Sequence, residues 1–165
     1  MSEIQRIEEQ LSQREMWASR RKKGVPNSRK LFVLACMDER LPVEEALGLE
    51  PGDAHVFRNA GGLVTDDAIR SAALSIHFFE SEEIVVVNHT DCGMLTGTGP
   101  LVTKKIEGDL GLDLTEVPLD PGLSRFRLGR EEVNNWWKMQ SDIDRTSREQ
   151  VEILRNHPLI PKHVR

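Results

Sequence analysis

Two short runs without a polar residue constrain this chain more than any other feature. Leu31-Phe32-Val33-Leu34-Ala35 and Ile84-Val85-Val86-Val87 are continuously apolar. A strand with one face in water alternates apolar and polar residues, so the first run is expected to be covered on both faces, as in parallel sheets. A third run, His55-Val56-Phe57-Arg58, is ended by Asn59-Ala60-Gly61-Gly62. Helical texture lies between these strands. Pro42 opens a short helix with Glu44 and Glu45 in its first turn, where the helix dipole favours acids, and residues 48–53 form a turn. Thr65 can cap a longer helix that carries Asp66 and Asp67 in its first turn. Ala68, Ile69, Ala72, Ala73 and Ile76 recur at helical spacing as its core face. Strand, helix, strand, helix, strand predicts an α/β fold of three layers, with a mainly parallel central β-sheet and helices on both sides.

The flanks read differently. Residues 1–23 are polar and charged, with Ile4, Ile7, Leu11 and Trp17 at loosely helical spacing, which predicts an amphipathic N-terminal helical arm. Gly24, Pro26 and Asn27 break that helix, giving an arm at 1–23 and one α/β domain at 24–165. Beyond Gly97 the periodicity fades. The Asp, Gly and Pro content of 108–122 predicts a long surface excursion, followed by helices over 131–139 and 147–156.

Charge and cysteine content narrow the function. With 22 basic and 27 acidic residues the formal net charge is −5, the opposite of the basic surface that nucleic-acid binding requires. No run approaches the roughly 18 apolar residues of a membrane span. MSEIQRIEEQLSQREMW holds no apolar segment of the secretory type, so a cytoplasmic location is expected. Two cysteines are too few for a disulfide-built scaffold.

Those two cysteines have telling neighbours. Cys36 follows the first strand, and His89 and Cys92 follow the third. The carboxyl edge of an open parallel sheet is where ligands bind, so two adjacent strands would bring these three side chains together. Two thiolates and an imidazole suit tetrahedral zinc. In Cys36-x-Asp38-x-Arg40 the three side chains point to one side of an extended segment. Elsewhere such an acid–base pair would be a surface ion pair worth at most ~1 kcal/mol. Here Asp38 has two options, to fill the fourth metal position or to turn onto Arg40 and leave that position to water. His55, His77, His157 and His163 lack a metal-ligand context. Arg58 can brace the site or a subunit interface, and Trp136-Trp137 suits a core or an interface. Gly61-Gly62 lacks the spacing of a phosphate loop, and Asp66-Asp67 is explained by helix capping.

Three segments together resemble the β-class carbonic anhydrase family in its compact prokaryotic branch. They are Cys36-Met37-Asp38-Glu39-Arg40, the stretch from Gly52-Asp53 through Phe57-Arg58-Asn59-Ala60-Gly61-Gly62, and His89-Thr90-Asp91-Cys92-Gly93-Met94. The resemblance implies Zn2+ on Cys36, His89 and Cys92, with Asp38 and Arg40 as a carboxylate–guanidinium dyad. It implies reversible hydration of carbon dioxide to bicarbonate by zinc-bound hydroxide, and a homodimer or a higher multiple of dimers. The carbon disulfide hydrolase-like members are resembled too, notably in Arg21-x-Lys23-Gly24-x-Pro26-Asn27 and Asn156-His157-Pro158-Leu159-Ile160-Pro161-Lys162. The same chemistry would then hydrolyse carbon disulfide or carbonyl sulfide. From another class comes a non-catalytic domain in which Asp38 permanently closes a structural zinc site. Family members continue past the Pro-Leu-Ile-Pro segment into further sheet strands. This sequence ends at Arg165, and a missing strand would expose a sheet edge.

Overall fold

The computed structural model describes residues 2–11, 27–123 and 125–165. Trp17, Arg21, Lys23, Gly24, Pro26 and the arm–domain boundary at 23/24 lie outside them. The chain divides into two compact units, one formed by Met1–Val87 with Val151–Arg165 and the other by Asn88–Gln150.

The first unit carries the sheet. Strands β1 (Leu31–Cys36), β2 (Ala54–Asn59) and β3 (Glu83–Val87) lie in the order β2-β1-β3, all parallel. The apolar run of β1 is central and buried throughout, as expected for a strand covered on both faces. Its side chains alternate between two clusters. Phe32 and Leu34 pack with Ala68, Ile69, Ala72 and Ile76, together with Leu154 and Ile160. Leu31, Val33 and Ala35 pack with Val43 and Leu49 on the opposite face. Helix α1 (Glu3–Leu11) buries none of its residues, and Ile4, Ile7 and Leu11 are exposed. Helix α2 (Val43–Ala46) follows Pro42 and carries Glu44 and Glu45 in its first turn. Helix α3 (Asp66–Phe79) is capped by Thr65, whose hydroxyl accepts from the Ala68 amide. Ala73 is only half-buried, and Ser75 takes the core position beside Ile76.

The second unit departs more from the sequence-based expectations. Helix α4 (Gly99–Leu110) occupies part of the stretch read as an excursion, and it ends at the left-handed Gly111. Gly108 sits inside this helix without breaking it. Gly99 is required at the start, because a Cβ there would lie 1.9 Å from the Asn134 carbonyl oxygen. Helix α5 (Arg130–Trp136) is shorter than the predicted 131–139, because the chain turns through Lys138 at φ 51. Helix α6 (Ile143–Asn156) begins a turn earlier than predicted and passes from this unit into the first. Its start is set by Asp142, whose carboxylate accepts from the Arg145 amide at 2.9 Å. Among the described residues no helix is long and apolar enough to cross a membrane.

Candidate metal centre

β1 ends at Cys36, which is paired with Asn59 of β2, and one residue earlier Ala35 is paired with Val87, the last residue of β3. Two residues beyond Val87 stands His89, and Cys92 precedes a single 3-10 turn, Gly93–Leu95. Both cysteines are buried thiols rather than halves of a disulfide. The two Sγ atoms and a His89 ring nitrogen all lie within 4.8 Å of one another. Tetrahedral zinc with thiolates at about 2.3 Å spaces its sulfurs by about 3.8 Å, so the donor set fits that ion in both chemistry and spacing.

Asp38 is not in that group. Its carboxylate is turned onto Arg40 in a two-pronged pair. Oδ1 accepts from Arg40 Nε at 2.9 Å and Oδ2 from Nη2 at 2.8 Å. The Arg40 amide adds a third bond to Oδ1 at 3.0 Å. The Asp38 side chain is 13% exposed and that of Arg40 61%. An acid this shielded, with three donors around it, has little freedom to rotate.

Residues at the end of β2 hold this loop. Arg58 donates from Nε to the Cys36 carbonyl at 3.0 Å and from Nη2 to the carbonyls of Asp38 and Leu41 at 2.7 and 3.2 Å. The bracing role open to Arg58 in the sequence is therefore directed at the Cys36 loop. The Asn59 side chain accepts from the Leu63 amide at 2.8 Å and donates to its carbonyl at 2.7 Å, closing the turn that contains Gly62. At φ +62, Gly62 lies against the strand ends, where a Cβ would meet the Cys36 amide nitrogen at 2.7 Å and the Val87 carbonyl oxygen at 2.8 Å. This close approach accounts for the glycine, for which the sequence offered only the exclusion of a phosphate loop. Asn88, next to His89, accepts from the Ser147 hydroxyl at 3.0 Å. Asn88 was not singled out in the sequence, where only its place beside His89 marked it, while Asn59 was read only as part of a strand end and Ser147 only as a helix start.

Three of the remaining histidines, His55, His77 and His157, have structural partners. His55 Nδ1 lies 2.7 Å from Ser75 Oγ, its ring edge-on to Phe79, and burial holds its pKa below the ordinary value. His77 Nε2 is 3.0 Å from the Leu159 carbonyl oxygen, and His157 Nδ1 accepts from the Leu159 amide at 3.2 Å. Trp137 Nε1 donates to Thr103 Oγ1 at 2.9 Å, while Trp136 is exposed.

The carbonic anhydrase family profile matches residues 31–165. The chain belongs to the β-carbonic anhydrase family. Zinc is the metal of this family, and the Cys36–His89–Cys92 group is able to hold a metal ion. A carbon disulfide hydrolase of Acidithiobacillus thiooxidans is 53% identical over 166 residues, 99% of this chain and 83% of that protein. β-Carbonic anhydrase 1 of Mycobacterium tuberculosis is 46% identical over 94 residues, 57% of this chain and 58% of that protein. A solved apo carbon disulfide hydrolase superposes with a TM-score of 0.81 at 52% identity, covering 98% of this chain and 82% of that one.

Proposed function

We propose that this β-carbonic anhydrase family member is a zinc hydrolase of carbon disulfide, with carbonyl sulfide as the half-way product. The observation that carries this reading is the 53% identity to a carbon disulfide hydrolase along 99% of the chain. Hydration of carbon dioxide is the second reading. It is favoured by the 46% identity to β-carbonic anhydrase 1, a likeness confined to 57% of the chain. Both substrates are small, linear, apolar molecules with an electrophilic central carbon, so one donor set serves either.

In this reading Cys36, His89 and Cys92 hold the metal. Zinc, when bound, supplies Lewis acidity that brings water towards hydroxide near neutrality. Asp38 accepts the hydrogen bond of the attacking hydroxide and aims its lone pair at carbon. Arg40 holds the Asp38 carboxylate turned aside in their two-pronged pair, so that Asp38 would not serve as a further metal ligand while that pair is closed. Carbon disulfide and one water give carbonyl sulfide and hydrogen sulfide. A second water converts carbonyl sulfide to carbon dioxide and a second hydrogen sulfide. The exposed Ile4, Ile7 and Leu11 stripe of α1 supports a homodimer or a multiple of dimers, and a cytoplasmic location is part of the proposal. The test is sulfide release from carbon disulfide by the zinc-loaded chain. Turnover that falls in Arg40→Ala and Asp38→Ala, both still zinc-loaded, is the expected result. No sulfide release by the parent chain would overturn the reading.

A further inference from the structure

Arg58 stands on β2 opposite Ala35 of β1, half-buried, and no carboxylate pairs with it among the described residues. Its three hydrogen bonds all go to backbone carbonyls, those of Cys36, Asp38 and Leu41. A half-buried cation partnered in this way does not neutralise an acid but fixes a course of backbone. That course is one short loop, and it carries a metal-ligating thiol at its start and the Asp38–Arg40 pair at its centre. The next residue of β2 adds a tie, since the Met37 amide donates to the Asn59 carbonyl at 2.9 Å. With the carbonyls of Cys36 and Asp38 held by the same guanidinium, neither residue can shift without the other. Only a planar group with several donors in fixed directions spans three carbonyls at once. An ammonium in its place radiates its donors from one nitrogen on a flexible stem and does not fix the three carbonyls in the same plane.

We propose that Arg58 is the positioning residue of the metal centre, its guanidinium locking Cys36 and the Asp38–Arg40 pair into a fixed relation. This rests on the zinc-site reading above. Arg58 acts through the loop backbone, so its influence falls on metal retention and on metal-site geometry before it falls on rate.

The experiment compares Arg58→Lys and Arg58→Gln with Val56→Ala, a β2 neighbour whose side chain lies in an apolar cluster and ties none of the loop carbonyls. Zinc affinity is measured by competition with a chromogenic chelator. Site geometry is read from the visible bands of the cobalt-substituted protein, and folding from circular dichroism and thermal unfolding. The Arg58 variants are expected to fold, to lose about 10–100-fold in zinc affinity and to shift the cobalt bands. Val56→Ala is expected to lower Tm with affinity and bands unchanged. Parent-like affinity and bands in both Arg58 variants would overturn the proposal. So would an equal loss in Val56→Ala, or failure of both Arg58 variants to fold, since Arg58 would then serve general stability. A parent chain that binds no zinc would instead sink the underlying metal-site reading, a distinct result.

Discussion

The sheet and the segment that follows it are built by different means. In the first unit, β1 is buried along its whole length and apolar clusters cover both of its faces. In Asn88–Gln150, much of the tying is polar and spans long gaps in sequence. Arg130 reaches Glu107 at 2.7 Å and Asp113 at 3.0 Å, and Glu107 also accepts from the Leu114 amide at 2.8 Å. Apolar burial there centres on residues such as Leu114 and Val133. Burial of apolar area is stabilising without regard to direction, whereas an exposed ion pair is screened by water and salt. The sheet therefore acts as the rigid frame for Cys36 and its loop, and the second unit depends on contacts that solution conditions can tune.

The largest effect separates ligands from frame. Cys36→Ala, His89→Ala and Cys92→Ala are each expected to abolish stoichiometric zinc in elemental analysis, since a catalytic zinc site uses three protein ligands. Retention of a full equivalent in any of them would remove that residue from the donor set. Next comes the core. Leu34, fully buried, is expected to cost about 2–5 kcal/mol on truncation to alanine, read by urea unfolding. A loss as small as that of a surface substitution would contradict the account of the sheet as frame.

A smaller effect is tied to pH. Burial holds the His55 imidazole below its ordinary value of 6.5, so in acid the unfolded chain takes up this proton first. Its contribution is fully present above about pH 6.5 and is lost as pH falls through the lower folded value. His55→Gln is expected to flatten that acid slope in Tm measured from pH 7 to 5. An unchanged slope would assign the loss to other groups. The smallest effect belongs to the second unit. Arg130→Ala is expected to lower Tm slightly at low salt and hardly at all at high salt, because its guanidinium is exposed at 48%. A large, salt-independent loss would erase the contrast between the units.

That contrast also explains what the sequence made legible. The run Leu31-Phe32-Val33-Leu34-Ala35 identifies itself, because no other element needs two covered faces. That Cys36, His89 and Cys92 come together in one group able to hold a metal ion was legible for the same reason, each following such a run. Helix α4 was not, since its apolar stripe is weak and Gly108 fell within the stretch read as an excursion. Ser147 looked like a helix start although Asp142 already caps the turn before it. Arg58 carried only half its meaning, because its partners are backbone carbonyls, which leave no mark in sequence. The direction of the Asp38 carboxylate was undecided for a like reason. Either choice uses the same residues, and only the geometry of Arg40 distinguishes them.

One comparison of rates tests the central claim most directly. The same zinc-loaded preparation is given carbon disulfide in a sulfide-release assay and carbon dioxide in a stopped-flow hydration assay. The account predicts sulfide release with a kcat/KM above that for carbon dioxide, and loss of both activities in Cys36→Ala. Fast hydration of carbon dioxide with no sulfide from carbon disulfide would contradict it.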